Sequence, residues 1–128
     1  MNSYSTGVLV VGGGCSGVAA GIGSARMGVP TIIAEETPWL GSMITAAGVS
    51  AFDGNKFAIG GGIFDQMRKR IEAHYGGAEN TFTGWISLTC FEPKLGADIL
   101  RDLAEAEKDL TVLYGLKFLR FTKTGDTL

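Results

Sequence analysis

Cysteine is scarce: Cys15 and Cys90 stand 75 residues apart, which offers neither a disulfide framework nor the spacing of a metal site. Basic charge is scarce as well. Only 11 Lys and Arg face 13 Asp and Glu, and the net charge of −2 argues against a broad nucleic-acid-binding face. The one local basic cluster, Arg68-Lys69-Arg70, reads as the solvated side of a helix. No apolar run approaches the roughly 20 residues needed to span a bilayer. The N-terminus has no basic n-region, and its short apolar run feeds directly into glycines, unlike a secretory signal. Cytoplasmic residence is therefore expected. There is a single histidine, His74, at the end of a predicted helix, where a cation suits the helix dipole; with no partner in sight it is not assigned a catalytic role. The 128 residues, 45% of them hydrophobic, leave room for one domain with a modest core.

Glycine, in contrast, is abundant, and one stretch organises the rest. Val8-Leu9-Val10-Val11 reads as a strand that runs into Gly12-Gly13-Gly14-Cys15-Ser16-Gly17, a Gly-x-Gly-x-x-Gly pattern. In a dinucleotide-binding turn, Gly12 lets the chain reverse, Gly14 admits a pyrophosphate close to the backbone, and Gly17 lets the next helix pack on the strand. That helix aims its free N–H groups and positive dipole end at the phosphates. The pattern alone is weak in a chain with 20 glycines, but the residues C-terminal to it strengthen the reading. Val18 to Met27 is rich in small and helix-compatible residues, Gly21 allows a close approach to the sheet, and Gly28 supplies a stop. After Val29-Pro30, Thr31-Ile32-Ile33-Ala34 reads as a second buried parallel strand ending in Glu35. Glu35 lies 18 residues beyond Gly17, where a carboxylate accepts hydrogen bonds from ribose hydroxyls and repels a 2′-phosphate.

Beyond Glu35, Pro38 and Gly41 prevent an immediate helix, and small residues gather from Gly41 to Gly48. Such a segment lets a ligand approach the backbone, so 41–48 is expected to line a cofactor. Asp53-Gly54-Asn55 signals a turn and Gly60-Gly61-Gly62 a break. Ile63, Phe64, Met67, Ile71 and Tyr75 then recur at helical spacing, with Gly76-Gly77 as the stop. Trp85 to Phe91 alternates like a strand, or forms an irregular loop with substrate contacts. Pro93 opens a helix running through about Lys108, with Leu95, Ile99, Leu100 and Leu103 on its apolar stripe. Leu110 to Tyr114 reads as a third strand. Leu116 to Thr122 reads as an antiparallel strand, and Thr124-Gly125-Asp126 as a hairpin turn. A strand that stops two residues after its turn cannot pair usefully, so the 128 residues are expected to be the N-terminal part of a longer protein.

The spacing of Gly12, Gly14, Gly17, Gly21, Gly28 and Glu35 resembles the FAD fingerprint of FAD-dependent oxidoreductases with the two-dinucleotide-binding-domain architecture. Trp39 to Gly48 resembles the Leu-Gly-Gly-x-x-Thr-Ala stretch of one bacterial group in that family, and the resemblance is clear over about residues 7 to 60. It implies FAD as cofactor, with the pyrophosphate at Gly12, Gly14, Cys15, Ser16 and Gly17 and the adenosine ribose at Glu35. Glu36 would sit beside the adenosine end, or be a solvated acid. Gly41, Ser42 and Met43 would approach the pyrophosphate, ribitol or flavin. Ser42 departs from the group's second glycine; a serine is small enough to fit there if its φ is negative, which leaves the local geometry open. Cys15 is expected to be a small neighbour of the phosphates. No Cys-x-x-x-x-Cys pair follows, which disfavours disulfide-reductase chemistry, and Trp39-Leu40 replaces the arginine that usually precedes the paired glycines of amine oxidases. The flavoprotein subunits of the fumarate reductase type remain a neighbour.

The expectation is an α/β fold: a Rossmann-like parallel sheet with flanking helices and the start of an antiparallel β-meander, as an incomplete domain. Residues 7–48 would be the βαβ unit and cofactor-lining loop, 49–92 an insertion with one helix, and 93–128 a helix, third strand and hairpin start. The function expected is the FAD-binding portion of an oxidoreductase passing hydride between a small-molecule substrate and flavin, with the remainder of the flavoprotein chain, and a homo-oligomer, as candidate partners. No residue is assigned as catalytic. An NAD-binding dehydrogenase module and a non-catalytic fragment with an incomplete, empty site stay open as alternatives.

Overall fold

Val8–Val11 forms strand β1, and the alternation of its side chains already divides the molecule into two sides. In the computed structural model, which describes residues 3–53 and 61–125, Val10 packs toward the core while Leu9 and Val11 face outward at 56% and 52% exposure. Helix α1 (Cys15–Arg26) follows, then strand β2 (Thr31–Glu35). β1 and β2 are parallel, with Val8 opposite Thr31 and Val11 opposite Ala34. β2 is the buried central strand, and its other edge pairs in parallel with β5 (Leu110–Tyr114). The parallel strands, their apolar residues and the helical crossovers are what the sequence periodicity calls for. This is the Rossmann-like α/β arrangement expected.

Helices α1 and α3 (Pro93–Glu105) cover one face of the sheet. Ile22 and Ile33 are fully buried there beside Val18, Leu100 and Leu103, and each such side chain is worth roughly 1.5–3 kcal/mol of transfer free energy. Gly21 makes the contact close: a Cβ there would lie 2.6 Å from Ile33 Cδ1. Helix α2 (Gly62–His74) packs on α3 through Met67 and Ile71. Between the main elements, β3 (Ala51–Phe52) and β4 (Thr89–Cys90) form a small antiparallel pair, and Phe52 stacks near Phe64 and Phe91. The Arg68-Lys69-Arg70 cluster is only partly a solvated face. Arg68 is half-buried and ion-paired with Asp65 and Glu72, while Lys69 reaches Asp65.

Two segments depart from expectation, and 85–91 takes mostly the irregular-loop form of its two readings. α3 ends at Glu105 rather than Lys108, because Leu110 N–H turns back to Glu107 C=O at 3.1 Å and starts β5. Within 85–91 only Thr89 and Cys90 are strand, and Trp85 is fully exposed. Leu116–Thr122 forms no strand: Leu116 N–H donates to Glu35 C=O, and beyond it no strand among the described residues lies alongside to pair with. The chain instead runs along the open side of the sheet, where Leu9, Val11, Phe118 and Leu119 border an apolar groove. The Asp53-Gly54-Asn55 turn, the first glycine of the 60–62 run and Asp126 fall partly or wholly outside the described residues.

Candidate functional site: the cleft above the glycine turn

The turn between β1 and α1 takes its shape from steric exclusion. Gly12 has φ +95°, a left-handed conformation that favours glycine, and its N–H closes the sheet on Ala34 C=O at 2.9 Å. A Cβ on Gly17 would stand 2.0 Å from Gly12 C=O oxygen and 3.3 Å from Val10, so α1 lies against β1 only because position 17 has no side chain. Gly14 differs. Its φ of −64° suits any residue, and a Cβ there would meet only the Ser42 Cβ, at 3.4 Å. Gly14 faces space rather than protein.

That space is a cleft of about 400 Å³. Gly12, Gly14, Cys15, Ser16 and Gly17 line one side, and Gly41, Ser42 and Met43 the other. Eight of the ten residues singled out from sequence thus converge on one surface. Two contacts join its two sides. Gly14 and Gly41 form a parallel bridge, in which Gly41 N–H donates to Gly13 C=O at 2.8 Å, and the Cys15 thiol donates to Gly41 C=O at 3.3 Å. Partial burial pushes the Cys15 thiol above its ordinary pKa, so at neutral pH it is a hydrogen-bond donor rather than a thiolate.

Glu35 and Glu36 lie elsewhere. Glu35 is 7% exposed and does not line the cleft. Its two oxygens accept the N–H groups of Gly13 at 2.6 Å and Thr37 at 2.7 Å. Burial alone would raise its pKa, but the Thr37 and Gly13 bonds outweigh that and hold the carboxyl below the usual range. An ionised carboxylate has about four acceptor positions, so two bonds leave capacity for a sugar hydroxyl. Glu36 stands in solvent, 3.5 Å from Lys117.

Two supporting residues, both within the stretch that carries the family resemblance, are given no role of their own by the sequence. Leu40 is buried and covers Gly13, where a Cβ would be 2.5 Å from its Cδ2. Thr45, 1% exposed, donates its hydroxyl to Leu40 C=O at 2.6 Å, and so fixes the bend that brings Gly41 to Gly13. Ser42 does not meet the condition under which a serine fits without strain. Its φ is +48°, not negative, and it is the one non-glycine with positive φ among the described residues.

The cleft suits a diphosphate. Gly14 caps α1 without a side-chain hydrogen bond, and no acid occupies the first turn. The first helical bond runs from Val18 N–H to Gly14 C=O at 2.8 Å, so the N–H groups of Ser16 and Gly17 precede it without a helical acceptor, while that of Cys15 faces Gly41 C=O across the parallel bridge. Orphan donors at the positive end of a helix, beside a glycine with no side chain, form an anion cradle. A larger cavity of about 590 Å³ lies between Gly48–Ala51 and Cys90–Pro93 at the start of α3, but an acid, Glu92, caps that helix, Pro93 has no N–H to offer, and no Lys, Arg or His lines it. The glycine cleft is therefore the better candidate.

A parallel βαβ unit with this turn defines a dinucleotide-binding protein. More narrowly, the sequence matches the family described as FAD dependent oxidoreductase over residues 7–128, and the chain belongs to that family, whose cofactor is FAD. A comparison with the curated proteins gave no match.

Proposed function

We propose that this chain is the FAD-binding portion of a flavin-dependent oxidoreductase that passes hydride or electrons between a small-molecule substrate and FAD. One observation carries the reading: the free first-turn N–H groups of α1, the bare Gly14 and the Gly41–Met43 segment all border a single cleft. The FAD diphosphate would lie against Gly12, Gly14, Cys15, Ser16 and Gly17, with Gly41, Ser42 and Met43 on its other flank. Glu35 would act there by fixing Gly13 and by accepting ribose hydroxyls with its remaining lone pairs. When bound, the isoalloxazine supplies the redox chemistry.

The residues around the cleft bind and orient. Cys15 is the one titratable side chain among them, and its raised pKa keeps it protonated. Acid–base groups for the substrate would accordingly come from outside this cleft. The uncovered sheet face supports the same division. Leu9, Val11, Phe118 and Leu119 form an exposed apolar surface that a further part of the flavoprotein would cover.

The test is the colour of the intact purified protein. Yellow protein that releases FAD on denaturation supports the reading, and colourless protein that binds NAD rejects it in favour of a nicotinamide dehydrogenase.

A further inference from the structure

Ser42 is held in a conformation that a glycine would occupy without strain. Its φ of +48° lies in the left-handed region, and hydrogen bonds on both sides of it hold the backbone there. On one side, Gly41 N–H is tied to Gly13 C=O at 2.8 Å. On the other, Ser42 C=O accepts the N–H groups of Ala47 at 3.0 Å and Thr45 at 3.1 Å. The side chain is not part of that restraint. It is exposed on the wall of the cleft, its Cβ facing Gly14, and its hydroxyl has no hydrogen-bond partner among the described residues. A strained residue whose side chain stabilises nothing in the protein itself, and which borders an anion cradle, has its use in the ligand.

We infer that Ser42 is an affinity determinant for the dinucleotide: the left-handed backbone carries its hydroxyl into the cleft, where it hydrogen-bonds an oxygen of bound FAD across from the Gly14 backbone. This rests on the FAD reading above and deepens it. It predicts that stability and binding move in opposite directions at one position, which a purely structural residue would not do.

The experiment compares Ser42→Gly, Ser42→Ala and Ser42→Asn in the intact protein, by thermal unfolding without flavin and by fluorescence titration with FAD. Ser42→Gly releases the backbone and removes the hydroxyl, so its Tm should rise while FAD binding weakens roughly tenfold, as for a lost hydrogen bond to a charged group. Ser42→Ala should weaken FAD by the same factor with no gain in Tm, because the strain remains. Ser42→Asn, which tolerates the left-handed region and keeps a donor, should recover part of the affinity. Ser42→Gly binding FAD as tightly as the parent overturns the inference, as does a loss confined to Ser42→Gly that spares Ser42→Ala. Either result leaves the FAD reading standing. A parent protein that takes up no FAD overturns both.

Discussion

The turn after β1 and the segment after β2 border the same cleft, yet they are built on different principles. In the first, atoms have nowhere else to go: Gly17 abuts the Gly12 carbonyl, and Gly12 itself has a φ of +95°. In the second, hydrogen bonds impose the shape. Gly41 is bonded to Gly13, Thr45 to Leu40, and Ser42 to Thr45 and Ala47. Steric exclusion demands glycine at fixed positions and so writes itself into the sequence. A bonded loop tolerates a serine at positive φ, because several contacts together offset a strain of about 1–3 kcal/mol.

Substitutions at the two regions sharpen that contrast, and Gly17→Ala should be the most damaging. Its Cβ would fall 2.0 Å from a backbone oxygen, so α1 must move off β1. A stability loss of about 3 kcal/mol or more is expected in denaturant unfolding, since backbone cannot yield as a side chain does. A loss below about 1 kcal/mol would show that the helix docks more loosely than steric exclusion requires. Gly41→Ala comes next, at about 2–3 kcal/mol. Its φ is +103°, but the atoms a Cβ would meet, in Thr45 and Leu100 at 2.7–2.8 Å, belong to side chains that can shift.

This contrast also decides what could be read before the fold was known. Strands β1, β2 and β5, helix α1 and the glycine turn follow from local pattern, because apolar runs and glycine spacing act within a few residues. Eight residues of the cleft were named on that basis together with the family resemblance. The sign of φ at Ser42 was not legible, since it depends on Gly13, 29 residues earlier. The bond from Glu35 to Gly13 was hidden for the same reason: an acid at a strand end suggests a sugar ligand, and nothing local says that it first satisfies a buried N–H. Leu116–Thr122 shows the opposite failure. Its local pattern favours a strand, but a strand needs a neighbour, and its first N–H is spent on Glu35 C=O.

Glu35 links the two regions, because one oxygen holds Gly13 in the first and the other holds Thr37 in the second. Glu35→Gln leaves one of those N–H groups facing an amide NH₂, at a cost of about 1–2 kcal/mol at neutral pH. The folded carboxyl has a lowered pKa, so its contribution is complete above the ordinary carboxylate range and is lost as the pH falls toward the folded value. Urea midpoints of parent and variant should therefore converge on acidification. A gap that stays constant, or widens, in acid would mean that the carboxylate charge does not hold the two loops.

Gly14→Val should cost the least stability and the most function. Its backbone, with φ −64° and ψ 176°, is ordinary for valine, and the first added carbon would make a normal 3.4 Å contact with Ser42. Replacing a glycine N-cap with a β-branched residue costs under about 1 kcal/mol. The two γ-methyl groups, however, would enter the cleft proposed for the diphosphate, beside the first-turn N–H groups of α1. Flavin retention should fall below detection in a protein whose unfolding midpoint barely changes. Gly17, three residues on in the same turn, should show the reverse order of effects: a large loss of stability, and loss of flavin only through it. If Gly14→Val retained FAD at the parent's affinity, the cleft would not be where the diphosphate binds, and the steric difference between the two glycines would concern folding alone.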